Sequence, residues 1–246
     1  MEVLSSFSYA EALLAALVFI WTGFVRSGLG FGGGALGLPL MLFIYNQPLF
    51  WLPVIGLHLL FFSGLTLRSK LGEVDWHYLK KSMLVIVPFV LMGVLGLISL
   101  PTNWLLVFIY SITLIYAILW LTGKSIHSYN KWADRFLLCI GGYVAGTSLT
   151  GAPLIVAVFM RNVKVKLLRN TLFVLWFIIV IIKMTAFVVV GVELNFFVAL
   201  LLLPIGAIGH FMGLKAHDFI LRNDALFKRI VGGVLIVISC LGLYQV

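Results

Sequence analysis

Eight long apolar segments, separated by short loops, occupy most of this chain, at about 10–45, 50–67, 79–99, 103–122, 136–160, 169–190, 194–214 and 228–245. A helix needs ~20 mostly apolar residues to cross the hydrocarbon of a bilayer. Six of the segments have that length, and the first and fifth are longer and broken by glycines. Together they take up roughly 180 of the 246 residues on that spacing. The loops that remain cannot hold a water-soluble catalytic domain. The balance of residues agrees, at 63% hydrophobic and 10% charged, against about 45–50% and about 25% in soluble domains. A soluble enzyme, a disordered chain and a nucleic-acid binder are all poor readings on this ground. The expected architecture is an all-α polytopic membrane protein.

The net charge of +9 reads as topology, because loops rich in Lys and Arg stay in the cytoplasm. Arg68, Lys70, Lys80 and Lys81 follow the second segment; Lys124, Lys131 and Arg135 follow the fourth; Lys215, Arg222, Lys228 and Arg229 follow the seventh. The connections Leu100–Asn103 and Gly191–Asn195 carry no Lys or Arg and read as external, with both termini and the loop Tyr45–Trp51. Arg161, Lys164, Lys166 and Arg169 follow the fifth segment and are cytoplasmic too. The fifth segment therefore starts and ends on one side and must be re-entrant. The first is its mirror image, with both ends external. Trp51, Trp76, Trp104 and Trp120 sit near span ends and read as an interfacial belt. Met1–Ala10 holds Glu2 and no Lys or Arg, so it does not read as a signal peptide. Cys139 and Cys240 have no metal-ligand spacing and read as packing residues.

The two halves repeat a pattern. Gly23-Phe24-Val25 opens one glycine-rich stretch and Pro39 closes it, with Pro88, Gly93 and Gly96 later; Gly142-Tyr143-Val144 opens the other and Pro153 closes it, with Pro204, Gly209 and Gly213 later. Each half reads as a broken helix pair plus three spans, and the charge map points the halves in opposite directions. The expectation is two inverted repeats, 1–122 and 136–246, joined by a cytoplasmic linker 123–135. Such repeats place a transport site near mid-membrane.

Candidate binding groups lie at the breaks. In Gly23–Pro39 the glycines 28, 30, 32, 33 and 34 interrupt the helix, and exposed amides at a half-helix N-terminus attract anions. Close helix packing is the structural alternative. In Gly146–Pro153, Thr147, Ser148 and Thr150 can donate to an oxyanion, or instead bond back to their own helix. Arg26 and Lys183 are cations within apolar stretches, where charge is costly and usually functional. All eight acids (Glu2, Glu11, Glu73, Asp75, Asp134, Glu193, Asp218, Asp224) lie in loops or near span ends. That distribution points to an anionic substrate. The expected site sets Arg26, Ser27, Gly30, Gly32, Gly33 and Gly34 opposite Thr147, Ser148, Thr150 and Gly151, with Lys183 as a second cation. His58 and His210, also within spans, are the groups suited to carrying a proton.

The chain resembles the sulfite exporter TauE/SafE family over nearly its whole length. The resemblance rests on Gly23–Pro39, its degenerate copy Gly142–Pro153, Arg169-Asn170-Thr171 before an aromatic-rich span, and Pro204-Ile-Gly-Ala-Ile-Gly-His-Phe-Met-Gly213. Arg26 and Ala152 depart from the family pattern, which has a small residue and a glycine there. The resemblance implies passage of small sulfur-containing anions such as sulfite, thiosulfate, sulfonates or sulfoacetate, in a multi-pass inner-membrane protein. No cofactor, metal or nucleic acid is expected, and a homo-oligomer stays open. Three alternatives remain at this point: an anion channel, an intramembrane enzyme using Ser27 or Ser148 with His58 or His210, and a non-transporting assembly factor. Neither serine sits in a nucleophile motif.

Overall fold

The computed structural model describes residues 7–29, 33–124 and 126–246. Among these the chain forms ten α-helices: α1 (Tyr9–Leu29), α2 (Gly33–Ile44), α3 (Pro48–Leu67), α4 (Trp76–Ser99), α5 (Thr102–Leu121), α6 (Lys131–Ser148), α7 (Ala152–Asn162), α8 (Val165–Val190), α9 (Phe196–Arg222) and α10 (Asp224–Tyr244). A 3₁₀ turn at Leu71–Glu73 precedes α4. Helices are what hydrocarbon permits, because each satisfies its own backbone polar groups. Seven are long and apolar enough to cross a membrane, namely α1, α3, α4, α5, α8, α9 and α10, and α2 and α7 are short apolar helices. Many of their apolar side chains stay exposed, including Leu84 at 80%, Val189 at 79% and Leu200 at 69%. A soluble monomer rarely shows so much contiguous apolar surface, whereas a lipid-facing one must.

Local chemistry sets several helix ends. The Asp75 carboxylate caps α4 by accepting from Tyr78 N at 2.9 Å, and Asn130 Oδ1 caps α6 by accepting from Ala133 N at 2.8 Å. Gly191 ends α8 in the left-handed region, at φ +78.

The chain divides into two compact units. One comprises α1, α2, α3 as far as His58, α5, α9 and α10; the other comprises α3 from Leu59, α4, α6, α7 and α8. Within the first, α9 lies directly on α1. A Cβ at Gly209 would strike the Ile20 carbonyl, one at Gly213 the Phe24 carbonyl, and one at Gly23 the Gly206 carbonyl. Within the second, α4 lies on α6 in the same manner, with Gly93 against Tyr143 O, Gly146 against Val90 O and Gly142 against Ile86 O. Small residues let backbones approach where no hydrophobic force drives helices together. α5 and α10 complete the first unit around Val25, Leu29, Leu36, Trp120, Ile220 and Leu235.

Both broken segments double back. Gly33 and Gly37 of α2 face Arg26 and Thr22 of α1, and Phe7 before α1 lies 6.0 Å from Tyr45 after α2. In the other unit, Gly141 of α6 faces Leu154 and Ile155 of α7. Arg161 at the end of α7 makes a 2.7 Å ion pair with Asp134 near the start of α6. Each segment thus returns to the end from which it began, as the charge pattern requires.

Two expectations change. Trp51 is fully buried, with its Nε1 donating to Tyr45 O at 2.8 Å; Trp120 is buried as well, and of these four Trp76 and Trp104 are exposed. Position near a span end does not decide which way an indole faces. The two closing prolines also differ in place: Pro39 is inside α2, while Pro153 is in the first turn of α7. The two prolines are therefore not equivalent closing residues.

Candidate functional site

The first unit gathers four of the sequence-derived candidates. Arg26 sits in the last turn of α1, where the carbonyl end of the helix dipole favours a cation. It is 8% exposed, and its NH1 donates to the His58 carbonyl at 3.4 Å. His58 Nε2 is 2.7 Å from Ala199 O. A carbonyl only accepts, so that nitrogen carries the hydrogen. Ser27 Oγ is 2.5 Å from His210 Nδ1, and both residues are buried. His217 Nδ1, 2.6 Å from Gly28 O, donates to one of the terminal carbonyls of α1. Aromatic rings cover His58: Phe19 lies 4.9 Å from it, edge to face, and Trp51 lies 6.2 Å from Phe19.

Of the glycine run, Gly30 and Gly32 lie outside the described residues. Gly33 begins α2, and both it and Gly34 are buried. A Cβ at Gly33 would strike the Arg26 Cβ and the Thr22 carbonyl. Close packing therefore accounts for Gly33.

The second unit breaks at 149–151. Leu149 caps α6 in the left-handed region at φ +60, with its N–H on Ala145 O. Holding a leucine there costs about 1–2 kcal/mol. Gly151, at φ −69, is right-handed, and its need for glycine is close approach to the Gly141 carbonyl and the Ala145 nitrogen. The sequence points to glycine as the turning residue, whereas Leu149 takes that role. Nothing in its side chain announces this, because the turn is imposed by packing on both sides.

The three hydroxyls at this break are buried and not equivalent. Thr147 Oγ1 donates to Tyr143 O at 2.9 Å and approaches Gly93 O at 3.2 Å. Ser148 Oγ is 3.1 Å from Val144 O and 2.6 Å from Thr150 Oγ1. If Ser148 donates to the carbonyl, Thr150 donates to Ser148. If Ser148 donates to Thr150, the Thr150 hydrogen is released for another acceptor. That acceptor would also meet the amide end of α7, which carries partial positive charge.

Lys183, on α8, is completely buried, and its Nζ has no hydrogen-bond partner among the described residues. On the same helix, two turns earlier, the buried Trp176 Nε1 also lacks one. An ammonium away from water is very costly unless it is paired. The start of α8 has a structural task. Asn170 Nδ2 donates to Glu73 Oε2 at 2.9 Å, and Thr171 Oγ1 accepts from Asp75 N at 2.9 Å, which ties the turn before α4 to α8. Arg169 lies over the Phe173 ring at 5.6 Å. The sequence reading missed Asp134. It accepts from Arg161, from Asn162 at 3.2 Å and from Ser128 at 2.5 Å, and so binds the two ends of the hairpin together. An acid 27 residues before a cation, across a re-entrant segment, is the signal that could have found it.

The structure thus joins Arg26 to His58 and Ser27 to His210 in one unit, and Ser148 to Thr150 in the other, without a hydrogen bond from either hydroxyl to Lys183. The pair Ser27–His210 has the separation of a nucleophile and base. The comparison with known proteins reads it otherwise. No curated protein and no solved structure matches the chain. Residues 14–241 match the family described as sulfite exporter TauE/SafE, whose members are membrane transporters rather than enzymes. With that match spanning nearly the whole chain and seven helices fit to cross a membrane, this multi-pass protein belongs to the sulfite exporter TauE/SafE family.

Proposed function

We propose that the chain carries small sulfur-containing oxyanions (sulfite, thiosulfate, sulfonate or sulfoacetate) across the cell's inner membrane by alternating access. We read 1–122 and 136–246, joined by 123–135, as two inverted repeats. Oppositely oriented halves can expose one binding region to either face in turn. The observation that carries the anionic substrate is Lys183, a fully buried amine whose Nζ has no hydrogen-bond partner among the described residues. Such a group is satisfied by a negative solute. Each broken segment supplies further groups: Arg26 and Ser27 in one, and Ser148 and Thr150 in the other. Among the hydroxyls, Thr150 has the hydrogen most readily redirected to a ligand.

The test is flux in proteoliposomes of the purified full chain against sulfite, thiosulfate, sulfate, sulfoacetate and taurine. Saturable movement of one or more sulfur anions is expected, with Arg26→Ala and Lys183→Met each reducing it at least tenfold while the protein stays folded. No flux for any of the five overturns the reading. Flux that never saturates turns it into a channel.

A further inference from the structure

We infer that Ser27 and His210 form a proton-operated hydrogen-bond switch, so that a proton is the second transported species and moves together with the anion. The inference rests on the transport reading above and deepens it. Ser27 Oγ and His210 Nδ1 are 2.5 Å apart, with Ser27 at 0% and His210 at 2% exposure. Ser27 follows Arg26, the buried cation proposed to draw the anion. An imidazole nitrogen in this contact has two states with opposite consequences. In the neutral ring with its hydrogen on Nε2, Nδ1 is an acceptor, and the serine hydroxyl donates into it. The serine hydrogen is then directed at the ring. When His210 takes up one proton at Nδ1, both ring nitrogens become donors. Nδ1–H now donates to Ser27 Oγ, and the serine hydrogen turns away to donate to an oxyanion beside Arg26. The imidazolium adds a positive charge at the same place. Anion release followed by loss of that proton restores the first state. No bond other than N–H forms or breaks.

Linkage makes the coupling reciprocal: the proton strengthens anion binding by the factor by which the anion strengthens proton binding. Histidine suits this role because its charge changes near neutral pH. Other charged and titratable groups lie on the elements around it. On α1, against which α9 packs, these are Arg26 and, at the far end, Glu11, which is bonded to Ser8. On α3 there is His58, whose Nε2–H is committed to Ala199 O. On α9 itself, His217 donates to Gly28 O, and Lys215 and Arg222 lie nearer the helix end. On α10, Lys228 and Arg229 lie in the first turns. His58 and His217 both donate to carbonyls, whereas His210 faces a hydroxyl. Only a hydroxyl can reverse its role as donor or acceptor.

The second unit provides an internal contrast. There Gly146 packs against the Val90 carbonyl, much as Gly23 packs on α9, and the side chain at the contact is the Tyr143 phenol beside Gly96 rather than an imidazole.

The probe is thiosulfate, which stays fully ionised near neutral pH, whereas sulfite takes up protons itself. Proteoliposomes of the full chain, loaded with a pH-sensitive dye, are given an inward thiosulfate gradient. The expected result is acidification of the lumen in step with uptake. For one proton per anion, accumulation should change by about tenfold per unit of imposed pH gradient. His210→Gln, which retains a hydrogen-bonding side chain, should take up thiosulfate more slowly, without lumenal acidification and without response to the gradient. Ser27→Ala should weaken thiosulfate binding and flatten its pH dependence. Wild-type thiosulfate uptake with no proton movement overturns the switch and leaves the transport reading standing, and this arm needs no variant to fold. Proton movement that persists in His210→Gln also overturns it. No movement of thiosulfate, with another sulfur anion carried, restricts the substrate, and the dye measurement is then made with that anion. No movement of any of the five overturns both.

Discussion

Thr147, Ser148 and Thr150 look interchangeable in the sequence, and their hydrogens separate them. The Thr147 hydroxyl already donates to a carbonyl of its own helix, at 2.9 Å. Removing it costs little that a ligand would feel. Thr150 has no such commitment, because Ser148 can serve as its donor or its acceptor. A hydrogen bond to a charged partner contributes about 1.5–3 kcal/mol. Thr150→Val should therefore weaken anion binding by roughly 10- to 100-fold, and Thr147→Val by less than about 3-fold. Isothermal titration or competition of flux by the best anion of the panel measures both, and equal losses would place the hydroxyls on the same footing. Lys183 separates function from stability in the same way. A buried polar group without a partner costs about 1–3 kcal/mol, and more when charged. Lys183→Met, similar in shape, should raise the unfolding midpoint in detergent while lowering flux. A fall in both would make the lysine part of the packing.

At the scale of helices, glycines divide by what they touch. Gly209 of α9 meets the backbone of Ile20 and Phe24, whereas Gly233 of α10 has open space where a Cβ would stand. In a helix interior alanine is favoured over glycine by about 1 kcal/mol. Gly233→Ala should accordingly raise the thermal midpoint, and Gly209→Ala should lower it sharply by forcing α9 away from α1. Scanning fluorimetry in one detergent compares them, and a Gly209→Ala midpoint at or above wild type would contradict the contact. Much at this scale was legible. The cations around 161–169 required the fifth segment to return, whereas its glycines 141, 142 and 146 run on inside α6, where their small faces pack on α4 and α7. Partner choice was not legible. The glycines at 93, 209 and 213 advertise small faces, but any small face suits any other, and only the folded chain assigns α9 to α1 and α4 to α6. The left-handed Leu149 was hidden for a related reason: its conformation is set by the ends of α6 and α7 and not by its own side chain. Of the site, the cations and hydroxyls could be named from sequence. The Ser27–His210 pairing, across 183 residues, could not.

For the whole molecule the decisive question is sidedness, since two inverted repeats require each broken segment to enter and leave by one face. The lengths already argue for it. At 1.5 Å per residue, the 11 residues of α7 reach only about 17 Å, well short of the ~30 Å hydrocarbon core. The 18 residues of α6 reach about 27 Å. Were α6 and α7 to continue in one direction, the ion pair of Asp134 with Arg161 at 2.7 Å could not form. Positions flanking the hairpin are open to reagents: Trp132 is 77% and Val165 86% exposed. The connections without basic residues offer Leu100 and Glu193, both exposed. In a background with Cys139 and Cys240 replaced by alanine, single cysteines at these four positions should divide two and two. Trp132→Cys and Val165→Cys should react with a membrane-impermeant maleimide only in inverted vesicles. Leu100→Cys and Glu193→Cys should react only in right-side-out vesicles. If 132 and 165 label from opposite faces, the segment is a single crossing, the orientations of everything after it reverse, and two inverted repeats can no longer be drawn on this chain.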